Sequence, residues 1–482
     1  MIIFAAEPAP TGETSQYACG LTRGEDTMVS TSQANLTLSS EYFVSPRFCS
    51  FASIARSVSS KIACLVIAFV LTCAAARAQV PAPLPTPTPV PNPAMAPPSP
   101  CAKKNKTLSD NLKCLKSYYD KVTSKQGFHL VTGNVVPGSG LTGGVGYSRG
   151  QVGENWSSQF DSSARVSVKK YWELDSNLRL TRVSTNSFSD DEGFGALKIN
   201  LYGLIKDAPR LDFFGIGPES RLQDRAVFHY REAVGGVDFA KPMRSWLTLG
   251  GAAELISPDI IRIANPTVRS VERVYTEATL PGITSQPLFL HFVAFAGIHS
   301  SSQKEARSIE YTFFFHGYRD LQRHSYSFRR FDADLRHKFP FGKNQIRMRG
   351  RVSLSGTSGG QRVPFYLMET LGGSNIRSDE SLRGFRDYRF RDRDFLLLQT
   401  EYLREVSGPV DFIAFYDTGK VASSISHFGD GRLRHTFGLG LVVVPRRLDN
   451  VLFRFYVALG SGEGSHTYLG GGLPSRADRL TR

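Results

Sequence analysis

Ile346-Arg347-Met348-Arg349-Gly350-Arg351-Val352-Ser353-Leu354 alternates between two kinds of side chain. Ile346, Met348, Val352 and Leu354 fall on one face; three arginines and a serine fall on the other. A period of two marks an extended strand, whose successive side chains point to opposite faces. The run before it behaves alike: Phe331, Ala333, Leu335 and Phe339 alternate with Asp332, Asp334, Arg336 and Lys338. Phe339-Pro340-Phe341-Gly342-Lys343-Asn344 reads as a tight turn joining the two strands. Acids on one strand then face arginines on the next.

The theme recurs outward from this hairpin. Leu197, Ile199 and Leu201 alternate with Lys198, Asn200 and Tyr202, and Ile309, Tyr311, Phe313 and Phe315 repeat it. Val451, Phe453, Phe455, Val457 and Leu459 do so near the C-terminus. A sheet with one charged face and one continuous apolar face has water on one side only. A soluble sandwich alternates too, but export and the number of strands favour an all-β fold: a 16-stranded antiparallel transmembrane β-barrel, apolar outside and polar within. Residues 128–482 spread over 16 strands allow roughly 22 residues per strand and connection, a sensible size for such a barrel. About fifteen runs are visible, and bacterial barrels close with an even number. The remaining strand is expected near Phe128–Val136 or between Asp175 and Gly195, where the pattern is poor.

Upstream lies processing and a tether. Ile62 to Ala76 is apolar, follows Arg56 and Lys61, and ends in Ala76-Arg77-Ala78. That is the pattern of a secretory signal cleaved before Gln79, and the run is short for a membrane span. Residues 1–78 therefore read as leader and signal, with a start assigned too early as one explanation of the first 55. Every second residue from Pro81 to Pro93 is proline, so 79–100 reads as an extended polyproline linker. Leu108, Leu112, Leu115 and Tyr119 repeat at helical spacing, giving a short periplasmic helix within 101–127. Nothing there is long enough for a POTRA module. Cys101 and Cys114 alone survive cleavage; they allow a disulfide in an oxidising compartment, and equally two free thiols.

The formal charge of +15 raises nucleic acid as a partner. The arginines, however, recur at strand period instead of forming one basic arm, which suits a lumen or a lipopolysaccharide-facing rim. Enzyme readings are weak. Gly356-Thr357-Ser358-Gly359-Gly360 matches the nucleophile elbow only formally, because that motif needs a strand-to-helix turn and Pro364 follows instead. No metal-ligand spacing is present and no cofactor is expected. His324, His427 and His435 are the weakest of candidates.

Two pieces remain. Leu382-Arg383-Gly384-Phe385 lies in a connection of about forty residues, Ser355 to Asp394, far beyond an ordinary hairpin loop. Phe415-Tyr416-Asp417-Thr418-Gly419 follows on a later strand-like run, Asp411 to Val421, after Asp394 to Val406. Together they resemble the signature of the outer-membrane protein 85 superfamily, the surface-antigen barrels of the BamA and TamA type. The resemblance implies that the loop is the sixth extracellular one, folds back into the barrel, and brings Arg383 to Asp417. Gly384, Phe385, Phe415 and Gly419 frame that pair. Apart from any resemblance, a long loop confined in a lumen loses entropy. A guanidinium bound bidentately by Asp417, with Glu401 at hand, offsets it.

A second expectation concerns closure. Gly140–Tyr147, with Gly143, Gly144 and Gly146, is taken as the first strand, and His466–Gly472, with Gly470 and Gly471, as the last. Glycine weakens a strand, so their junction is expected to be a weak seam, which in the superfamily opens sideways to client strands; glycines that merely let strands bend are the plainer alternative. The resemblance implies insertion or translocation of proteins at the outer membrane of a Gram-negative bacterium. Lipid and lipopolysaccharide, client proteins and a separate periplasmic partner would be the partners, with no enzymatic chemistry. A passive pore or structural surface antigen is the competing class.

Overall fold

The computed structural model describes residues 126–182, 196–302, 307–407, 410–443 and 453–471. The signal, the proline linker, the helical repeat and Cys101 and Cys114 lie outside them. The wall begins with β1 (Gly127–Thr132), β2 (Thr142–Val152), β3 (Trp156–Ser167), β4 (Trp172–Arg182) and β5 (Lys198–Phe213). It continues through β6 (Ala226–Arg244), β7 (Leu247–Ile261), β8 (Phe289–Ser302), β9 (Arg307–Asp320), β10 (Phe328–Phe341) and β11 (Asn344–Gly356). Two short strands, β12 (Glu369–Leu371) and β13 (Phe390–Asp392), pair only with each other. The wall resumes with β14 (Asp394–Ser407), β15 (Val410–Ala422), β16 (Arg434–Val443), β17 (Phe453–Gly460) and β18 (Gly464–Gly471).

Sixteen strands thus form one antiparallel sheet in chain order, with β11 beside β14. The two poorly patterned regions both hold strands, β1 and β4. One expectation needs correcting. The stretch containing Gly143, Gly144 and Gly146 is not the first strand but belongs to β2, flanked by β1 on one side and β3 on the other. Gly-Phe-His-Leu-Val-Thr is only six residues long, too short for its alternation to stand out.

The sheet has one apolar face. Phe239, Phe292, Phe315, Leu398, Phe437 and Leu439 are exposed, whereas Asn200, Asp238, Glu254, Gln399, Asp417 and Thr436 on the opposite face are buried. This inverts the usual soluble distribution and suits a hydrocarbon surrounding. No helix among the described residues is long and apolar enough to cross a membrane. The residues between β11 and β14 reveal the curvature. They touch the β1–β2 connection (Tyr388 Oη to Pro137 O, 3.1 Å), β10 (Arg330 Nη1 to Glu369 Oε1, 2.7 Å) and β17 (Arg454 Nη1 to Glu380 Oε2, 2.6 Å). One segment reaches strands at both ends and in the middle only if the sheet wraps around it.

The connections that follow β5, β7, β9, β11 and β15 lie at one end of the strands, the long-loop end, where an aromatic cluster fills the interior. Phe365 packs edge-on against Phe213 and Phe228, with ring centroids 5.6 and 5.2 Å apart, and Tyr230 stacks on Tyr366. Edge-to-face pairs of this kind add about 0.5–1.5 kcal/mol each beyond area burial. Glu277 ties three of these connections together: it accepts from Gly282 N (2.7 Å), Tyr326 Oη (2.5 Å) and Arg362 Nη2 (3.1 Å).

Candidate functional site

The site is built on four neighbouring strands. Gln399 of β14, Asp417 of β15, Thr436 of β16 and Gly460 of β17 stand opposite one another in register, forming one cross-strand row. Two residues along, Glu401, Phe415, Gly438 and Ala458 form the next row on the same face. The period of two that made the sheet legible is what puts Phe415, Asp417 and Gly419 on a single face.

The Leu382–Phe385 segment lies across these rows. Arg383 Nη2 donates to Asp417 Oδ1 at 2.6 Å and Nε to Oδ2 at 2.9 Å, a bidentate pair. Its backbone N–H adds a third bond to Oδ2 at 3.3 Å, and Nη1 donates to Glu401. The guanidinium carbon also sits 3.6 Å above the centre of the Phe415 ring. The Arg383 side chain is 1% exposed and that of Asp417 0%. Removing Arg383 would therefore leave the buried Asp417 carboxylate without its cation, and removing Asp417 would leave the guanidinium to Glu401 alone.

The flanking residues have equally physical reasons to be what they are. Leu382 and Phe385 are buried with Leu371, Phe390, Phe395, Leu397 and Val421, an apolar cluster that includes the β12 and β13 legs. Gly384 approaches the backbone of β17 so closely that a Cβ there would lie 2.6 Å from Gly460 N. Its own N–H donates to Thr436 Oγ1 at 3.3 Å. A Cβ on Gly419 would stand 2.7 Å from Leu396 O and 3.2 Å from Leu371 Cδ1, so that position must be bare for β12 to dock.

The expected residues Arg383, Gly384, Phe385, Glu401, Phe415, Asp417 and Gly419 are thus brought into one place. Gln399, Thr436, Gly438 and Gly460 complete the site. Gln399 Nε2 donates to Ser381 O (3.0 Å) and to Asp417 Oδ1 (3.3 Å), while a side chain at Gly438 would collide with the Phe415 ring. Alternation alone could have flagged Gly438, since it is a glycine in a strand opposite an aromatic. Thr436 and Gly460 carry no sequence signal, because only the returning loop makes them matter.

The same loop is pinned further along. Asn375 Oδ1 accepts the N–H groups of Arg377 and Asp379 at 2.9 and 3.0 Å, a side-chain-capped turn at the tip. From that tip Glu380 pairs with Arg454, and Asp379 lies 3.5 Å from Arg351 of β11. Asp334 holds Arg349 at 2.7 Å and Arg336 at 2.8 Å on the adjoining wall. A cavity of about 570 Å³ remains beside the tip, lined by Arg347, Arg349, Arg454, Glu380 and Glu401 among others.

No protein-family model matches this sequence, and no curated protein does. Solved structures do. The chain is similar to the crystal structure of BamA from Haemophilus ducreyi lacking POTRA domains 1–3: 14% identity, 72% of this chain and 69% of that one covered, TM-score 0.47. It is also similar to CdiB from Acinetobacter baumannii: 13% identity, 69% and 55% covered, TM-score 0.41. Counted along the chain, the connection from β11 to β14 is the sixth at its end of the strands, β12 and β13 being part of it.

The other expected residues are dispersed. Gly470 and Gly471 lie on β18, opposite Arg454 and Phe453, whereas Gly143, Gly144 and Gly146 lie one strand in from the other edge. There the side chains of His129 and Val131 lie over Gly146, where a Cβ would come within 2.5 and 2.7 Å of them. Ser358 is exposed in a turn whose glycines, Gly359 and Gly360, have φ of 61° and 73°. A three-residue 3-10 turn, Phe365–Leu367, follows it. His435 is hydrogen-bonded to Tyr416 Oη at 2.8 Å.

Proposed function

We propose that this chain is an outer-membrane barrel of the outer-membrane protein 85 type that inserts or translocates other polypeptides, with its sixth loop docked in the lumen through Arg383. The single observation that carries this reading is the buried, bidentate Arg383–Asp417 pair shared with Glu401. A loop of this length needs such an anchor, and breaking one partner of a buried pair costs about 3–5 kcal/mol. A lateral seam between β1 and β18 would be the exit for clients. The setting is the outer membrane of a Gram-negative bacterium, with lipopolysaccharide against the rim and a separate periplasmic protein delivering the clients.

The passive-pore reading finds less support. The lumen is crossed by the loop tip, and its long-loop end is packed with Phe213, Phe228, Tyr230, Phe365 and Tyr366. Reconstitution separates the two. Proteoliposomes holding the wild-type protein are expected to accelerate insertion of an unfolded client barrel. Arg383→Ala and Asp417→Ala should each lower that rate at least tenfold, and the charge-swapped double variant should recover part of it. Solute leakage without any acceleration of insertion would replace this reading with the pore.

A further inference from the structure

We infer that Tyr388 and Arg389 form a clasp across the junction of the first and last strands, coupling the docked loop to the closure of the barrel. This rests on the seam reading above, and four observations carry it.

The sheet ends at β1 and β18, and among the described residues each is laddered to one neighbour, β2 and β17 respectively. β1 is a short strand, six residues against 19 in β6 and 14 in β10. A junction on so short a strand has few ladder hydrogen bonds to share, so contacts outside the ladder weigh more there.

The loop supplies such contacts to both sides from adjacent residues. Tyr388 Oη donates to Pro137 O in the connection that follows β1. Val135 and Val136 of that connection are buried in the same apolar cluster as Tyr388 and Tyr171. The next residue, Arg389, donates through Nε to Glu463 in the turn between β17 and β18. Both side chains of that pair are buried, at 5% and 9% exposure. Arg389 is itself held rigid: Nη1 and Nη2 donate to Ser220 Oγ (2.9 Å) and Ser220 O (2.8 Å), and Phe390 lies under the guanidinium at 4.5 Å.

The backbone at this point is unusual. Tyr388 has φ of 60°, in the left-handed region that bulky residues rarely occupy. Such a conformation is unfavourable by itself and persists only where its surroundings impose it. Here it turns two consecutive side chains towards opposite flanks of the junction. When the loop leaves the lumen, both flanks lose their shared anchor at once; when it docks, it draws them together. Arg383 then sets not only where the loop lies but also whether the seam is shut.

The test is a distance across the junction, read independently of insertion. Spin labels at Asn134 and Ser465, both exposed, report it by electron–electron double resonance in proteoliposomes. The otherwise wild-type chain should give one narrow distribution. Tyr388→Phe, Arg389→Gln and Glu463→Gln should each broaden it or lengthen it by at least one strand spacing, about 5 Å. Thr267→Ala, in an exposed turn of the β7–β8 connection that touches neither Tyr388 nor Arg389, should leave it unchanged. Tyr388→Phe strips one hydroxyl and keeps the packing, so the test survives if Arg389→Gln fails to fold. Identical distributions throughout would overturn the clasp. Should they coincide while Arg383→Ala still abolishes insertion, the clasp falls and the translocator stands; shifted distances in a protein with no insertion activity would do the reverse.

Discussion

Arg383 is held by more groups than an arginine needs. Asp417 takes two of its side-chain donors and its backbone N–H, Glu401 takes a third side-chain donor, and the Phe415 ring covers one flat side. Lysine could satisfy the charge but not the fork, so Arg383→Lys should leave the loop partly loosened, seen as faster protease cleavage between Gly372 and Tyr388. Close by, Asp387 shows the opposite electrostatics. Burial pushes its carboxyl up to about 6, with Asp212 and Glu380 adding repulsion against the one N–H it accepts, that of Ser374 at 2.8 Å. An acid whose value is raised in the folded state penalises that state when ionised. Stability should therefore be lowest above pH 6 and should rise as pH falls from about 6 towards 4. Asp387→Asn is expected to abolish that rise and to stabilise the docked loop at pH 7, measured by thermal unfolding across pH. An unchanged profile would mean that Asp387 meets water in solution.

At the scale of elements, the loop behaves as a folded unit and not as a tether. β12 and β13 pair at its base, where Arg330 bonds Glu369 and Ser355 Oγ from the wall. The Leu371–Leu382–Phe385–Phe390 cluster fills the space behind the Arg383 pair. Gly384→Val should therefore be as damaging as Arg383→Ala, since a side chain would be driven into the backbone of β17. Protease protection of the loop is the readout, and protection equal to wild type would contradict the close approach. Phe365→Ala, at the meeting point of Phe213, Phe228 and Tyr366, should cost about 3–5 kcal/mol through the cavity it leaves, without touching Arg383.

For the whole molecule, the sixteen strands make a cylinder whose interior is occupied. The loop crosses it, and the aromatic cluster fills one end. Single-channel conductance in planar bilayers should accordingly be small and intermittent. Glu277→Ala, which releases the joint between three connections, should raise it. A large, steady wild-type conductance would mean that the loop does not lie in the lumen under voltage.

The strand period, the charged inner face and the order of Arg383 and Asp417 were all decided locally. Alternation, turn glycines and a loop too long for a hairpin are properties of neighbouring residues, and they were enough to specify the barrel, whereas the pairing of Arg383 with Asp417 was expected from the resemblance of its two motifs to a known signature. The edge of the sheet was not legible, because β1 is too short for its pattern to rise above chance, and so the seam glycines were placed one strand away. Thr436, Gly460, Pro137 and Glu463 were invisible for a different reason. Each meets its partner, 52 to 251 residues distant, only because the folded loop delivers it there. Contacts made across a curved sheet have no counterpart in sequence spacing, and only the tertiary structure could choose them.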